Sequence, residues 1–302
     1  MKSNCADVIK AMRKEMGLSQ EDMAEQMFIS VRQLARLESG EASMDIWQFI
    51  TTSELLGAPT EDFWLLFLDS GEYAGYRDYK RLKRQLSVDD WSEAKKIVAD
   101  FETSLLMRQP MVKQFIEFVK ISIELGWSTS NAADALLEAM RISKTNFDES
   151  KLAEYRMTYN EIHIAIALAH CFSATGEHDK AISMVQAMID GRKNIRATDE
   201  DSMFVYPALY YALAWVLGAA DRHKEALKAC EKAVDACREY SSLRRIPEIL
   251  FFLAKCYQKL GEEQHIIKTH LVRAYHVAYG IGRNDLAVFI KDSAHEDFNV
   301  II

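Results

Sequence analysis

Proline is scarce in this 302-residue chain, at 4, and glycine is modest at 12. So few breakers over such a length favour long helices over many short strands. No run reaches the roughly 18 uncharged apolar residues that a membrane span requires. The N-terminal stretch lacks a basic-then-apolar signal pattern, because Asp7 and Arg13 interrupt it. A cytoplasmic protein with no membrane partner is therefore expected. The five cysteines (Cys5, Cys171, Cys230, Cys237 and Cys256) are odd in number, widely spaced and set among apolar neighbours, which excludes a disulfide framework. Cys230 and Cys237, seven apart on one helix face, read as small buried hydrophobes. No further ligands lie near them, so no metal and no cofactor is expected. The chain has no phosphate-binding glycine loop and no nucleophile beside a recognisable base, and His295-Glu296 lacks the second histidine of a zinc-protease helix. An enzyme is not expected.

What remains is an ordinary soluble composition, 49% hydrophobic and 27% charged, in a chain long enough for about two domains. The formal net charge is −8, and it is unevenly spread. Residues 1–70 carry six basic groups against twelve acidic ones, whereas residues 71–86 carry five against two. Phosphates respond mainly to charge within a Debye length of about 8–10 Å, so an acidic body with local basic patches remains compatible with DNA.

The first seventy residues read as short helices with explicit stops. Val8, Ile9, Met12 and Met16 share one face of a first helix, which Gly17 ends. Ser19 caps a second helix, with Asp22 three residues on as an acidic capping box, and Met23, Ala24 and Met27 turn inward. After a short turn at Phe28-Ile29, Ser30 caps a third helix, with Gln33 completing a box. Leu34 and Leu37 face in, which leaves Arg32, Gln33 and Arg36 outward. A fourth helix carries Ile46, Phe49, Ile50 and Leu55, and a fifth segment after Pro59 carries Phe63, Trp64 and Phe67. A helix fits the DNA major groove and presents its exposed N-terminal residues to base edges, where Arg pairs with guanine O6 and N7.

The run from Leu18 to Gly40 keeps Ser19, Gln20, Ala24, Ser30, Leu34, Glu38 and Gly40, and so resembles the phage-repressor (Cro/C1, or XRE) helix-turn-helix. The resemblance implies that Gln20 contacts phosphate or the outermost base, that Val31, Arg32 and Arg36 face bases, and that Gln33 lies near the backbone. Arg13 and Glu38 would form the family's internal ion pair. Lys10 and Lys14 are further candidates for phosphate contact, with Lys14 counted among the DNA-binding residues. The basic run Tyr76–Arg84 reads as the start of a connecting helix, either merely solvated or in extra contact with phosphate.

From about residue 88 only helical patterns appear, and they recur. Leu168–Ile182, Leu213–Leu227 and Leu253–Ile267 align without gaps, with Ala169, Ala214 and Ala254 matched and Gly176, Asp221 and Gly261 at the turn. A weaker copy turns at Gly126. These units resemble degenerate tetratricopeptide repeats, longer than the usual 34 residues. Stacked pairs of this kind make a continuous core with a concave face lined by the first helix of each pair. On the resemblance that face carries Asn160, His163, Ile166, His170, Tyr211, Trp215, Arg244, Glu248, Phe251, Lys255 and Gln258. Asn offers the donor and acceptor that a peptide unit presents in reverse, and Arg244 suits a carboxylate. Asp285–Ile302 reads as one more helix with an apolar end that docks on its own domain or on a partner.

The expectation is an all-α protein: a five-helix helix-turn-helix domain at 1–70, a connecting helix at 71–87, and a tetratricopeptide-like solenoid at 88–302. This order resembles the peptide-pheromone-responsive regulators of the Rgg, PlcR and PrgX group. It implies a homodimer on promoter DNA, switched by a short signalling peptide in the concave groove. The alternatives are a regulator whose repeats recruit a protein partner, and an adaptor that has lost DNA binding.

Overall fold

A computed structural model describes residues 5–44, 48, 52, 78–79, 81–83, 91–101, 107, 110–126, 128–196 and 199–302. The chain divides into two compact units, one of residues 1–82 with 100–108, the other of residues 83–99 with 109–302.

In the first unit, α1 (Cys5–Glu15), α2 (Gln20–Gln26) and α3 (Val31–Glu38) follow one another closely. Ile9, Met23, Ala24, Met27, Leu34 and Leu37 form their shared core. Both expected N-caps are present, but only the Ser19–Asp22 box is complete; the Gln33 side chain does not return a bond to Ser30. Ser19 accepts from Asp22 N–H while Asp22 accepts from Ser19 N–H, and the Ser30 hydroxyl accepts from Gln33 N–H at 3.2 Å. The Gln33 side chain itself stays exposed. Met16 departs from the expected apolar face: α1 ends at Glu15, and Gly17 at φ +69° turns the chain away, so Met16 is 47% exposed. The segments expected to carry Ile46, Phe49, Ile50, Leu55, Phe63, Trp64 and Phe67 lie outside the described residues. Within the basic run, Asp78, Tyr79, Arg81, Leu82 and Lys83 are helical, with Tyr79 and Leu82 buried.

Beyond α4 (Trp91–Phe101), the second unit is a succession of helix pairs. These are α5 (Pro110–Glu124) with α6 (Ser130–Arg141), α7 (Tyr159–Ala174) with α8 (His178–Asp190), α9 (Asp199–Ala219) with α10 (His223–Glu239), and α11 (Ile246–Lys259) with α12 (Gln264–Gly280). A last helix, α13 (Asn284–Glu296), packs on α12. Each helix from α6 onward packs on the next, and α7 also packs on α9. The small residues do what the alignment requires: Ala169, Ala181, Ala214, Ala226 and Ala254 are all fully buried at the crossings. At Gly218 a Cβ would stand 2.6 Å from the Phe252 ring, so the bare backbone there lets α11 close on α9. Among the described residues the departure from all-helical structure is small. Met157–Thr158 (β1) and Ile195–Arg196 (β2) pair in parallel just ahead of α7 and α9. No helix among the described residues is long and apolar enough to cross a membrane.

The turns inside the pairs share one device. At Gly176, Asp221 and Gly261 the chain enters the left-handed region, and the next residue's N–H bonds back to the carbonyl five earlier, at 2.8–3.0 Å. Asp221 does this at φ 57° with a side chain that strains the backbone by about 1 kcal/mol. Its carboxylate is 93% exposed, so the contact with His223 is screened by solvent on that side and adds little. Asp221→Gly is therefore expected to stabilise the protein by about 0.5–1 kcal/mol, seen as a higher urea midpoint at unchanged slope. A lower midpoint would contradict this reading of the turn.

The C-terminal tail docks on its own unit. Phe298 and Val300 are buried in the cluster built on α11, α12 and α13, and the amides of Gln258 and Gln264 hold the carbonyls of Asp297 and Phe298 at 2.7 and 2.6 Å.

Candidate functional site

In the first unit the site begins from a buried ion pair. Arg13 Nε and Nη2 donate to the two oxygens of Glu38 at 2.5 and 3.1 Å, and Arg13 Nη1 donates to Leu18 O at 2.7 Å. Both side chains are buried. Burial works to raise the Glu38 carboxyl. The hydrogen bonds from Arg13 and Gln20, with the charges of Arg13 and Lys10, overcome it and hold the group below its ordinary value. This clamp ties α1 to the end of α3 and fixes the direction in which α3 presents its outer face. That face carries Val31, Arg32, Gln33 and Arg36, all exposed. Lys14 is exposed on α1. Gln20 has a structural role of its own, because its amide nitrogen donates to Glu38 Oε2 at 2.7 Å. Only its carbonyl oxygen and remaining N–H are left for anything else. Phe28, in the turn before α3, is 93% exposed at φ 55°.

In the second unit a cavity of about 570 Å³ opens along the first helices of the pairs. Its wall includes Ser122 of α5; His163, Ile166 and His170 of α7; Tyr211 and Trp215 of α9; and Arg245 just ahead of α11. That size suits a small organic molecule or a few residues of peptide. The His170 and Trp215 rings meet at 4.3 Å between centroids, as do Tyr159 and His163. His163 and His170 lie seven residues apart on α7, so about 10 Å of wall separates them.

Five of the eleven residues named from the sequence line this cavity together: His163, Ile166, His170, Tyr211 and Trp215. The other six are placed elsewhere, with Gln258 on the carbonyl of Asp297 as described above. Asn160 is 2% exposed and donates to Met111 O at 3.1 Å, tying the start of α7 to α5. Arg244 lies against the Phe204 ring. Glu248 is shared between Arg283 and Arg245, at 2.5 and 3.4 Å. Phe251 is buried against Phe289 and Phe298, and Lys255 lies over the Phe251 ring, 5.1 Å from its centroid. Two physical causes account for this. Helical counting back from Ala254 fails at Arg244, because α11 begins only at Ile246. The returning tail also covers the far part of α11. Arg245 was missed by that one-residue error, and Ser122, Gly126 and Ser128 gave no signal beyond a turn.

The histidines are held neutral. Burial, then the charge of Arg245, pushes His170 down to about 4, and the same two causes with Lys83 push His163 down to about 3. Folding thus favours the neutral rings over an unfolded chain whose histidines titrate near 6.5. That contribution is complete above about pH 6.5 and is lost as the pH falls from there toward the folded values. Stability is expected to fall by about 1.4 kcal/mol per ring for each pH unit below 6.5. Urea midpoints at pH 7 and 5.5 check this, with a flatter dependence expected in His170→Phe. An identical slope in the variant would contradict it. The buried thiols offer no nucleophile: burial raises Cys171 and Cys256 to about 11 and Cys237 to about 12, and pushes Cys230 up as well. No group of three or more potential metal ligands occurs among the described residues.

Comparison with known proteins agrees with both halves. Residues 9–47 match the helix-turn-helix family, and residues 207–240, which hold the later part of α9 and all of α10, match the tetratricopeptide repeat. No curated protein sequence matches. Among solved structures, PlcR of Bacillus thuringiensis, in complex with the peptide PapR7 and DNA, superposes with a TM-score of 0.68 at 16% identity, over 95% of this chain and 98% of that one. This chain has the PlcR fold. ComR from S. thermophilus, in complex with DNA and its signalling peptide ComS, shares it at 0.61 and 15%, over 97% and 99% of the two chains. So does Rgg2, the SHP pheromone receptor of Streptococcus dysgalactiae, at 0.54 and 13%, over 97% and 99%. The match to PlcR covers 95% of this chain and so extends over both units.

Proposed function

We propose that this chain is a sequence-specific transcription regulator whose helical unit senses a short peptide inside the cell. The observation that carries the reading is the cavity. It lies on the first-helix face of the repeats, is walled by aromatic and neutral imidazole rings, and has a cation at Arg245. An apolar peptide side chain fits against His170 and Trp215, and Arg245 suits a carbonyl or carboxylate. The exposed α3 with Arg32 and Arg36 supplies the DNA-reading surface, and the PlcR and ComR complexes hold a peptide and DNA together. On this reading the chain acts as a cytoplasmic homodimer on promoter DNA. Its two-fold arrangement supplements the few cations of an acidic first domain. It binds and does not catalyse.

The test is affinity selection from a pool of random synthetic heptapeptides. The wild-type chain is expected to enrich a defined set, and Trp215→Ala to bind its leading member at least tenfold more weakly, a loss of about 1.4 kcal/mol or more. A wild-type chain that enriches nothing, while a cytoplasmic pull-down recovers a stoichiometric folded protein, overturns peptide sensing in favour of partner recruitment.

A further inference from the structure

His163 is where the cavity meets the rest of its unit. The ring lines the cavity, yet its Nε2 is buried and bonded to no hydrogen-bond partner among the described residues. It lies 4.3 Å, centroid to centroid, from the ring of Tyr159, at 54°. The ammonium of Lys83 lies over that same Tyr159 ring, 4.1 Å from its centroid. Lys83 is the first residue of the helical unit, and its neighbour in sequence, Leu82, belongs to the helix-turn-helix unit. Three side chains in contact thus run from the cavity wall to the first of the three junctions at which the chain passes from one unit to the other. Lys83 acts on His163 electrostatically as well, adding to the burial and the Arg245 charge that keep the ring neutral.

A neutral imidazole nitrogen left unbonded in a buried site is a preference for whichever ligand bonds it. A peptide amide supplies both a donor and an acceptor, so it satisfies either tautomer. Once bonded, the ring loses its freedom to tilt against Tyr159. A cation over an aromatic face depends in turn on where that face points. Resting on the peptide reading above, we infer that His163 is the ligand-sensing residue of the cavity, and that Tyr159 and Lys83 are positioning residues that pass its state to the junction. A ligand moves the junction only by the difference in its affinity for the two arrangements, and this stack is where that difference arises.

The probe is the heptapeptide most enriched on the wild-type full chain. The readout is the dissociation constant for a labelled duplex from the gene's own upstream region, with and without that peptide. In the wild type the peptide is expected to change it about fivefold or more. Lys83→Met and Tyr159→Leu should bind the peptide within twofold of wild type yet change DNA affinity less than twofold. Tyr159→Phe, which keeps the ring, should retain the full response. A full response in Lys83→Met overturns the relay while leaving peptide sensing intact. A wild-type chain that enriches no peptide overturns both. Lys83 is only half-buried, so that variant keeps the test open if Tyr159→Leu does not fold.

Discussion

Replacing Glu38 with Gln is expected to destabilise the helix-turn-helix unit by about 3–5 kcal/mol, because it strands the buried Arg13 guanidinium without its counter-charge. A glutamine keeps one acceptor oxygen where Glu38 has two, so the two-point bond from Arg13 that ties the end of α3 to α1 is broken. Hydrogen exchange of peptides from residues 5–44 in the full chain should show protection falling by two to three orders of magnitude, at about 1.4 kcal/mol for each tenfold. Exchange in α7–α12 should be unchanged, since those helices belong to the other compact unit. The double variant Arg13→Met/Glu38→Leu removes both charges together and should recover at least half of the loss. Unchanged exchange in Glu38→Gln would show that the pair contributes nothing to the unit.

Arg32→Ala combined with Arg36→Ala is expected to cost about 2–6 kcal/mol of specific DNA binding, the sum of about 1–3 for each bidentate base contact. Both arginines stand exposed on α3, on the face opposite Leu34 and Leu37. Fluorescence anisotropy on a duplex from the gene's own upstream region measures this at fixed salt. Lys14→Ala serves as the contrast. A phosphate contact lowers affinity about equally for all sequences and reduces the salt slope by about one. A double variant within twofold of wild type at low salt would remove α3 as the reading helix and leave the adaptor function standing.

The sequence made most of this architecture legible because its signals are local. Ser19 with Asp22, Ser30 ahead of α3, and the glycines that end α1 and turn the repeats each fix a few dihedral angles, and each is found where the spacing put it. The repeat alignment succeeded for the same reason: small residues recur where helices cross, and Ala169, Ala214 and Ala254 are fully buried there. The cavity was half legible. Helical counting placed His163, Ile166, His170, Tyr211 and Trp215 on one wall, since all five lie within uninterrupted helices. It failed where an element ended or where distant chain returned. Arg244 precedes α11, whose first residue is Ile246, so its neighbour Arg245 occupies the wall instead. Phe251 would have been exposed on an isolated repeat, but Phe289 and Phe298 from the C-terminal segment cover it. Asn160 looked like a peptide-binding amide and is a tie between α5 and α7. Nothing periodic announces such long-range contacts. The Lys83–Tyr159–His163 stack is of this kind, joining residues 76 positions apart through ring geometry that no spacing rule contains.

The most direct test is a crystal structure of the full chain with a duplex from its own upstream region and the heptapeptide that it enriches. The account predicts α3 in the major groove, with Arg32 and Arg36 within hydrogen-bonding distance of base edges. It also predicts peptide between α7 and α9, with an amide on His163 Nε2. A peptide seated away from that cavity, or a DNA complex in which α3 faces solvent, would contradict it.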